Sequence, residues 1–193
     1  MLPVDGLVLA GGQSRRMGTP KAALRLDDEH TLLEHARATL RQVCAGQVWI
    51  SRPFGYQPQD ALELPDLTPF PGPIGGVYNG LAHCRYDLLA VLAVDLPRVP
   101  PTLFTRLYRE WHAEPTLDVV YPVARGGNTQ PLAALWHHRA LPKLEDALAL
   151  NTGPRVRDVV MTLSSRVVPI DPEELANINT PEEWAAFRRA VQP

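Results

Sequence analysis

The chain has 193 residues, 45% hydrophobic and 21% charged, enough to bury the core of one domain and too ordinary a mixture for a disordered or fibrous protein. Nineteen basic residues stand against twenty-one acidic ones, a net charge of -2, so no global field draws the protein to nucleic acid or a membrane. Any anion it binds must be held by a local arrangement. Cys44 and Cys84 lack metal-ligand spacing and are too few to staple a fold of this size, which fits a reducing compartment. The N-terminal residues lack the basic flank and long apolar region of a secretory signal, and no segment approaches membrane-spanning length, so a cytoplasmic location is expected.

In chain order, residues 4–10 form an apolar strand that breaks at Gly11-Gly12 and continues through Arg15, Arg16, Gly18 and Lys21 within one loop's length. Residues 31–43 carry Leu32, Leu33, Ala36, Leu40 and Val43 at helical spacing, with Thr31 and Glu34 spaced as a capping box. Residues 47–51 read as a second strand, followed by a proline-rich loop across 53–73. A helix over 74–83 is opened by Pro71-Gly72-Pro73-Ile74-Gly75-Gly76. Residues 88–94 form an unbroken apolar run that ends at Asp95 and Pro97, the pattern of a strand covered on both faces in a parallel sheet. Residues 101–112 form a helix with proline at its first turn.

The second half is less regular. Strands over 117–122 and 131–136 flank the polar turn Arg125-Gly126-Gly127-Asn128, helices cover 141–150 and 155–163, and a strand returns over 166–170. Thr180 then caps a last helix that has Pro181 at its first position. Alternating strands and helices with right-handed crossovers predict an α/β fold, a mostly parallel Rossmann-like sheet sandwiched by helices in three layers. No repeat or linker divides the chain, so 1–193 reads as one domain. Ligands bind such sheets beyond the carboxyl ends of the strands, where the first loop, Ser51 and Asp95 all fall.

Four constellations carry chemistry. In the first loop, Gly11 and Gly12 let bare backbone N–H groups approach an anion, Arg15 or Arg16 binds phosphate in a forked geometry, and Lys21 acts as a point charge. The loop matches neither the dinucleotide fingerprint nor a P-loop, since Lys21 is followed by Ala22 and not by a hydroxyl residue. The plainer reading is a glycine turn beside solvated arginines. Asp95 suits a hard cation such as Mg²⁺, which takes one or two carboxylates together with phosphate oxygens, and it equally suits a turn before Pro97. The Gly72 segment suits a base, a ribose or a phosphate, or simply a tight turn into a helix, while Asp66 upstream can accept two hydrogens from the edge of a guanine or stay solvated. Asn177 and Asn179 flank Ile178; in an extended segment both amides point to one face, to grip a second polar substrate or to cap the helix behind them. The six histidines lack ligand spacing and read as surface residues, and Glu182-Glu183 reads as first-turn charge, not as a catalytic pair.

Leu9-Ala10-Gly11-Gly12-x-Ser14-Arg15-Arg16-Met17-Gly18-x-x-Lys21, the Pro71–Gly76 segment, Asp95-Leu96-Pro97 and Asn177-Ile178-Asn179-Thr180-Pro181-Glu182-Glu183 together resemble the successive signatures of the molybdenum cofactor guanylyltransferase family. The first is shared across sugar-phosphate and related nucleotidyltransferases. The Asn-x-Asn-Thr-Pro ending, in the full order and spacing, favours the molybdopterin enzymes.

The resemblance implies a nucleotide-diphospho-sugar transferase type of fold, with 1–100 binding nucleotide and 101–193 binding the acceptor. It implies GMP transfer from GTP to molybdenum-molybdopterin with Mg²⁺, and proteins of cofactor insertion and apo-molybdoenzymes as partners. By the same resemblance Leu9, Ala10 and Gly11 meet the nucleotide through backbone groups, Lys21 contacts its phosphates, and Asp95 binds Mg²⁺ and GTP; the residues themselves add Gly12 to the backbone donors and Arg16 to the cations that offset pyrophosphate charge. It also implies that the position matched by Asp66 contacts guanine or ribose; the reading of the residues sets Ser51 and the Gly72 turn beside the nucleoside and Asn177 and Asn179 on the acceptor side. Two positions depart from the pattern: Ser51 stands where an asparagine is expected, and the Asp66 match needs a one-residue gap before Pro71. Transfer from CTP, transfer to a sugar phosphate, and a non-catalytic nucleotide-binding module that delivers the cofactor are the alternatives.

Overall fold

A computed structural model describes residues 1–11, 21–26, 30–67, 72–150 and 153–191. Among them seven strands form one sheet: β1 (Asp5–Leu9), β2 (Val48–Arg52), β3 (Glu63–Pro65), β4 (Leu88–Ala93), β5 (Val119–Ala124), β6 (Ala133–His137) and β7 (Ser165–Ile170). Their spatial order is β3-β2-β1-β4-β6-β5-β7. The helices are α1 (Leu32–Arg41), α2 (Gly72–His83), α3 (Pro101–Ala113), α4 (Leu141–Ala149), α5 (Val156–Val160) and α6 (Pro181–Val191), and one-turn 3₁₀ helices span Lys21–Ala23, His138–Ala140 and Pro172–Leu175. No helix among the described residues is long and apolar enough to cross a membrane.

The two most apolar runs sit at the centre. β1 and β4 are buried at every residue and pair in parallel, Leu9 opposite Ala93, while β2 flanks β1 in parallel with Ser51 opposite Leu9. Successive β1 side chains alternate faces. A Cβ built on Gly6 meets Leu40 of α1 at 3.4 Å, and one built on Gly80 of α2 meets Leu7 at 2.8 Å, so the two helices cover opposite faces of the sheet. This is the mostly parallel α/β sandwich expected. α1 opens with the predicted capping box, Thr31 N–H donating to Glu34 and Glu34 N–H donating to Thr31 Oγ1.

Four details differ from the expectation. α2 begins at Gly72 and not at residue 74, so Gly75 and Gly76 lie inside the helix; α5 is also much shorter than 155–163. β3 is a three-residue strand within the proline-rich loop, held by Glu63, whose carboxylate accepts from Arg52 Nε at 2.8 Å and Gln59 N–H at 2.7 Å. β6 runs antiparallel to both β4 and β5. The connection from Ala124 to Ala133 is shorter than the dozen or more residues a parallel crossover needs, so β5 and β6 can only meet as a hairpin. Every other strand runs the same way, and the β5–β6 turn is therefore carried to the carboxyl edge of the sheet beside Asp95.

At the opposite edge, Asp5 is fully buried and its carboxylate accepts from the backbone N–H groups of Gln47 (2.7 Å), Arg85 (2.7 Å) and Tyr86 (3.0 Å). One side chain thus fixes the entries to β1, β2 and β4 in a common register. Removing it breaks three hydrogen bonds to a buried charged group, each worth about 1.5–3 kcal/mol. Asp5→Ala should therefore lower unfolding free energy by about 3 kcal/mol or more, read from urea titration at neutral pH.

Candidate active site

The carboxyl ends of the strands meet in one line. Leu9 is buried, Ala10 half-buried and Gly11 exposed, and a Cβ on Gly11 would meet nothing within 4 Å, so the chain leaving β1 rises out of the sheet into open space. Val94 N–H donates to Leu9 O at 3.2 Å, which places Asp95 one residue beyond the point where β1 and β4 part. Gly12, Arg15 and Arg16, with the rest of residues 12–20 and with Pro71, lie outside the described residues.

Lys21, from the 3₁₀ turn after the first loop, extends its ammonium between two acceptors, Asp95 Oδ2 at 3.3 Å and Asn179 Oδ1 at 2.6 Å. The Lys21 and Asp95 side chains keep only 17% and 24% of their exposure. The third segment is held by its backbone and by the residue between the two asparagines. Ile178 N–H donates to Asp95 O at 2.9 Å, and its side chain is buried with Leu26, Leu32 and Phe187. With Ile178 turned inward, Asn177 and Asn179 turn to the other side, as extended geometry requires. Behind them, Glu183 accepts from the N–H groups of Asn179 (2.6 Å) and Thr180 (3.1 Å), and Thr180 Oγ1 accepts from Glu183 N–H at 3.2 Å. This is a capping box, so Glu183 holds the helix start and the asparagine backbone.

Ser51, Asp66 and Gly72 occupy the flank formed by β2, β3 and α2. Ser51 keeps 4% exposure, and a Cβ on Gly76 would stand 2.7 Å from its Oγ and 2.8 Å from Leu9 Cδ2. The glycine lets α2 lie directly on the ends of β1 and β2, with the serine hydroxyl against the helix. Gly72, at φ +61°, starts α2 at the surface. Asp66 follows β3, its N–H donating to Arg52 O at 2.8 Å. Its Oδ1 is buried with no protein hydrogen bond, and desolvation pushes the carboxyl up from 3.8 to about 6. An unsatisfied buried carboxylate oxygen at the open edge of a sheet is what a ligand with adjacent N–H donors requires.

The donor set also bears on metal. Among the described residues no group of three or more His, Cys, Asp or Glu side chains is arranged to hold an ion. Asp95 is a single carboxylate beside an ammonium, which fits Mg²⁺ arriving with a polyphosphate better than a resident metal held by protein alone. Cys44 and Cys84 are free thiols pushed up by burial, Cys44 to about 12, so both stay protonated and unsuited to nucleophilic or metal chemistry. Four histidines are exposed as expected, but His35 and His137 are half-buried, and His35 Nε2 lies 2.9 Å from Pro97 O, bracing the turn after Asp95.

Residues 6–166 match the model of the MobA-like NTP transferase domain. The chain belongs to this family. As a MobA-like NTP transferase it is a nucleotidyltransferase by family. It is 34% identical to the molybdenum cofactor guanylyltransferase of Bradyrhizobium sp. strain ORS 278, over 96% of this chain and 92% of that one. It is 33% identical to a probable molybdenum cofactor guanylyltransferase of Chloroflexus aggregans, over 93% and 91%. Among solved structures, molybdopterin-guanine dinucleotide biosynthesis protein A from Archaeoglobus fulgidus superposes with a TM-score of 0.77 at 22% identity, covering 97% of this chain and 98% of that one.

Within this MobA-like frame the structure brings Lys21, Asp95 and Asn179 into direct contact and sets Asp66 on the flank of the same edge. It joins Asn177 to Gln130, whose Nε2 donates to Asn177 Oδ1 at 2.6 Å. Sequence reasoning did not single out Gln130; the signal was the short β5–β6 connection, which forces the hairpin and carries Gln130 to this edge.

The position of Asp66 has a consequence for stability. Its folded pKa lies above its ordinary value, so the native state holds the proton more tightly, and stability present below about pH 4 is lost as pH rises through about 6. Asp66→Asn should accordingly melt above wild type near pH 7.5, with the difference vanishing near pH 4, as read by differential scanning fluorimetry.

Proposed function

We propose that this chain transfers GMP from GTP to the terminal phosphate of molybdenum-molybdopterin, releasing pyrophosphate and forming the guanine dinucleotide form of the cofactor. The observation that carries this reading is the Lys21 ammonium bound at once to Asp95 and Asn179, because it joins the nucleotide-binding edge to the asparagine pair that faces the acceptor. The guanylyltransferase names of relatives that align over nearly the whole chain support the same substrates.

In this reading residues 1–100 bind GTP and 101–193 bind the acceptor. Leu9, Ala10, Gly11 and Gly12 offer backbone groups to the nucleotide, with Ser51 and Gly72 lining the nucleoside. Asp66, ionised, accepts from the ring N–H and amino group of guanine. A cytosine edge offers a different donor pattern, so Asp66 is the discriminator between GTP and CTP. The acceptor phosphate oxygen attacks the α-phosphorus, a new P–O bond forms there, and the bond to the bridging oxygen breaks with its electron pair leaving on pyrophosphate. An acceptor phosphate is already ionised at neutral pH, so the chain needs no general base, and none of its histidines is asked to be one.

What the protein contributes is orientation and charge. Lys21 and Arg16 offset charge on the departing pyrophosphate, and Asn177 and Asn179 hold the acceptor on the far side of the α-phosphorus. Asp95 would hold Mg²⁺ together with the triphosphate, and the ion supplies Lewis-acid neutralisation of the phosphate oxygens. The setting is cytoplasmic, with proteins of cofactor insertion and apo-molybdoenzymes downstream.

Lys21→Ala and Asp95→Ala should each reduce pyrophosphate release by about two orders of magnitude or more, the loss expected when an electrostatic partner of the transition state is removed. Turnover near wild type in both variants would overturn the assignment. Affinity for GTP should also fall as pH drops below about 6, because protonated Asp66 can no longer accept both guanine hydrogens. Asp66→Asn should bind GTP more weakly at neutral pH and lose this pH dependence, measured by isothermal titration from about pH 5 to 8.

A further inference from the structure

Asn177 and Asn179 are each ambiguous as ligands, since a carboxamide can present either an acceptor oxygen or a donor NH₂ group. Lys21 resolves the choice for Asn179. An ammonium only donates, and at 2.6 Å it takes Asn179 Oδ1, so what Asn179 has left to offer is its NH₂ group. Gln130 faces Asn177 with its Nε2 donating to Asn177 Oδ1 at 2.6 Å, the arrangement that leaves the Asn177 NH₂ group outward.

Gln130 is itself anchored at both ends of its backbone. Its N–H donates to Pro122 O at 3.1 Å, and its carbonyl accepts from Ala133 N–H at 3.0 Å, which ties it to the last residues of β5 and the first of β6. The reversed direction of β6 is what places that turn beside the Asn177–Asn179 segment.

We propose that Gln130 is a positioning residue that orients Asn177, so that Asn177 and Asn179 present paired NH₂ donors and recognise the phosphate of the acceptor. The inference rests on the reading of those asparagines as the acceptor side, and it adds how the acceptor's anionic group is selected. A carboxamide oxygen turned toward a phosphate would repel it. Two NH₂ groups held by a lysine on one side and a glutamine on the other form a fixed pair of donors with no need for further cations.

Gln130→Glu tests the orientation because it replaces a donor by an acceptor. Asn177 must then turn its NH₂ toward residue 130 and its oxygen toward the substrate. In steady-state pyrophosphate release, Gln130→Glu should raise the KM for molybdenum-molybdopterin about ten- to a hundredfold, the range of a hydrogen bond to a charged group, with the KM for GTP unchanged. Gln130→Leu, which only frees Asn177 to rotate, should have a smaller effect on the same constant. An equal rise in both KM values, or none, overturns the proposal. Side-chain NH₂ signals in ¹⁵N-correlated NMR give a readout independent of the acceptor's identity. Inorganic phosphate titrated into the full-length protein should shift the Asn177 and Asn179 signals in wild type, and only the Asn179 signal in Gln130→Glu. If wild type shows these shifts but no turnover with molybdenum-molybdopterin, the substrate reading fails and the role of Gln130 stands. If Asn177 does not respond, or responds equally in both proteins, the role of Gln130 fails.

Discussion

The site depends on one ammonium group. Lys21 reaches Asp95, 74 residues away, and Asn179, 158 residues away, and no other described side chain touches both. Lys21 and Asp95 are each withdrawn from most of their solvent contact, so neither charge is comfortable without the other. Within the pair the two charges offset one another. In the proposed reaction a triphosphate arriving with a cation would offer each partner a replacement, the anion for Lys21 and the metal for Asp95, so the contact seen in the ligand-free protein would be where charge is exchanged on binding.

That contact is possible because of how the sheet is wound. β1 and β4 are parallel neighbours, so the first loop and Asp95 leave the sheet at one point, and the Ile178 N–H bond to Asp95 O brings the C-terminal segment to the same point. Burial of Ile178 against Leu26, Leu32 and Phe187 holds that segment from behind. On the flank, α2 crosses β1 and β2 on Gly76 and Gly80, where any side chain would collide with Ser51, Leu9, Leu7 or Leu89. Glycines that in isolation suit a ligand serve here to press a helix onto the sheet.

Most of this was legible in the residues. The unbroken apolar run before Asp95 could only be a central strand, and the capping box at Thr31 and Glu34 set the start of α1 within a residue. The turn from Leu9 into glycines and cations marked the loop at the carboxyl edge. What escaped had physical causes. β3 is three residues long and ends at a proline, so no periodicity announces it; it exists because buried Glu63 gathers Arg52 and Gln59. The reversal of β6 does not change its apolar pattern, and only the length of the connection reveals it. The burial of the Asp66 carboxylate oxygen follows from where β3 delivers the residue, which a lone aspartate in a loop cannot show.

In the proposed reaction the distribution of donors and acceptors lets a protein of net charge -2 handle two phosphate-bearing substrates. On the proposed nucleotide flank the described residues offer the Asp66 carboxylate, suited to a base, and the Lys21 ammonium, suited to phosphate charge. On the acceptor flank the groups are neutral amides whose oxygens are already engaged. A second cation there, beyond the Lys21 ammonium that already holds Asn179 Oδ1, would bind the acceptor phosphate more tightly but would also lower its nucleophilicity. Neutral NH₂ donors hold the anion while leaving its attacking oxygen charged, which is the condition a reaction without a general base must satisfy.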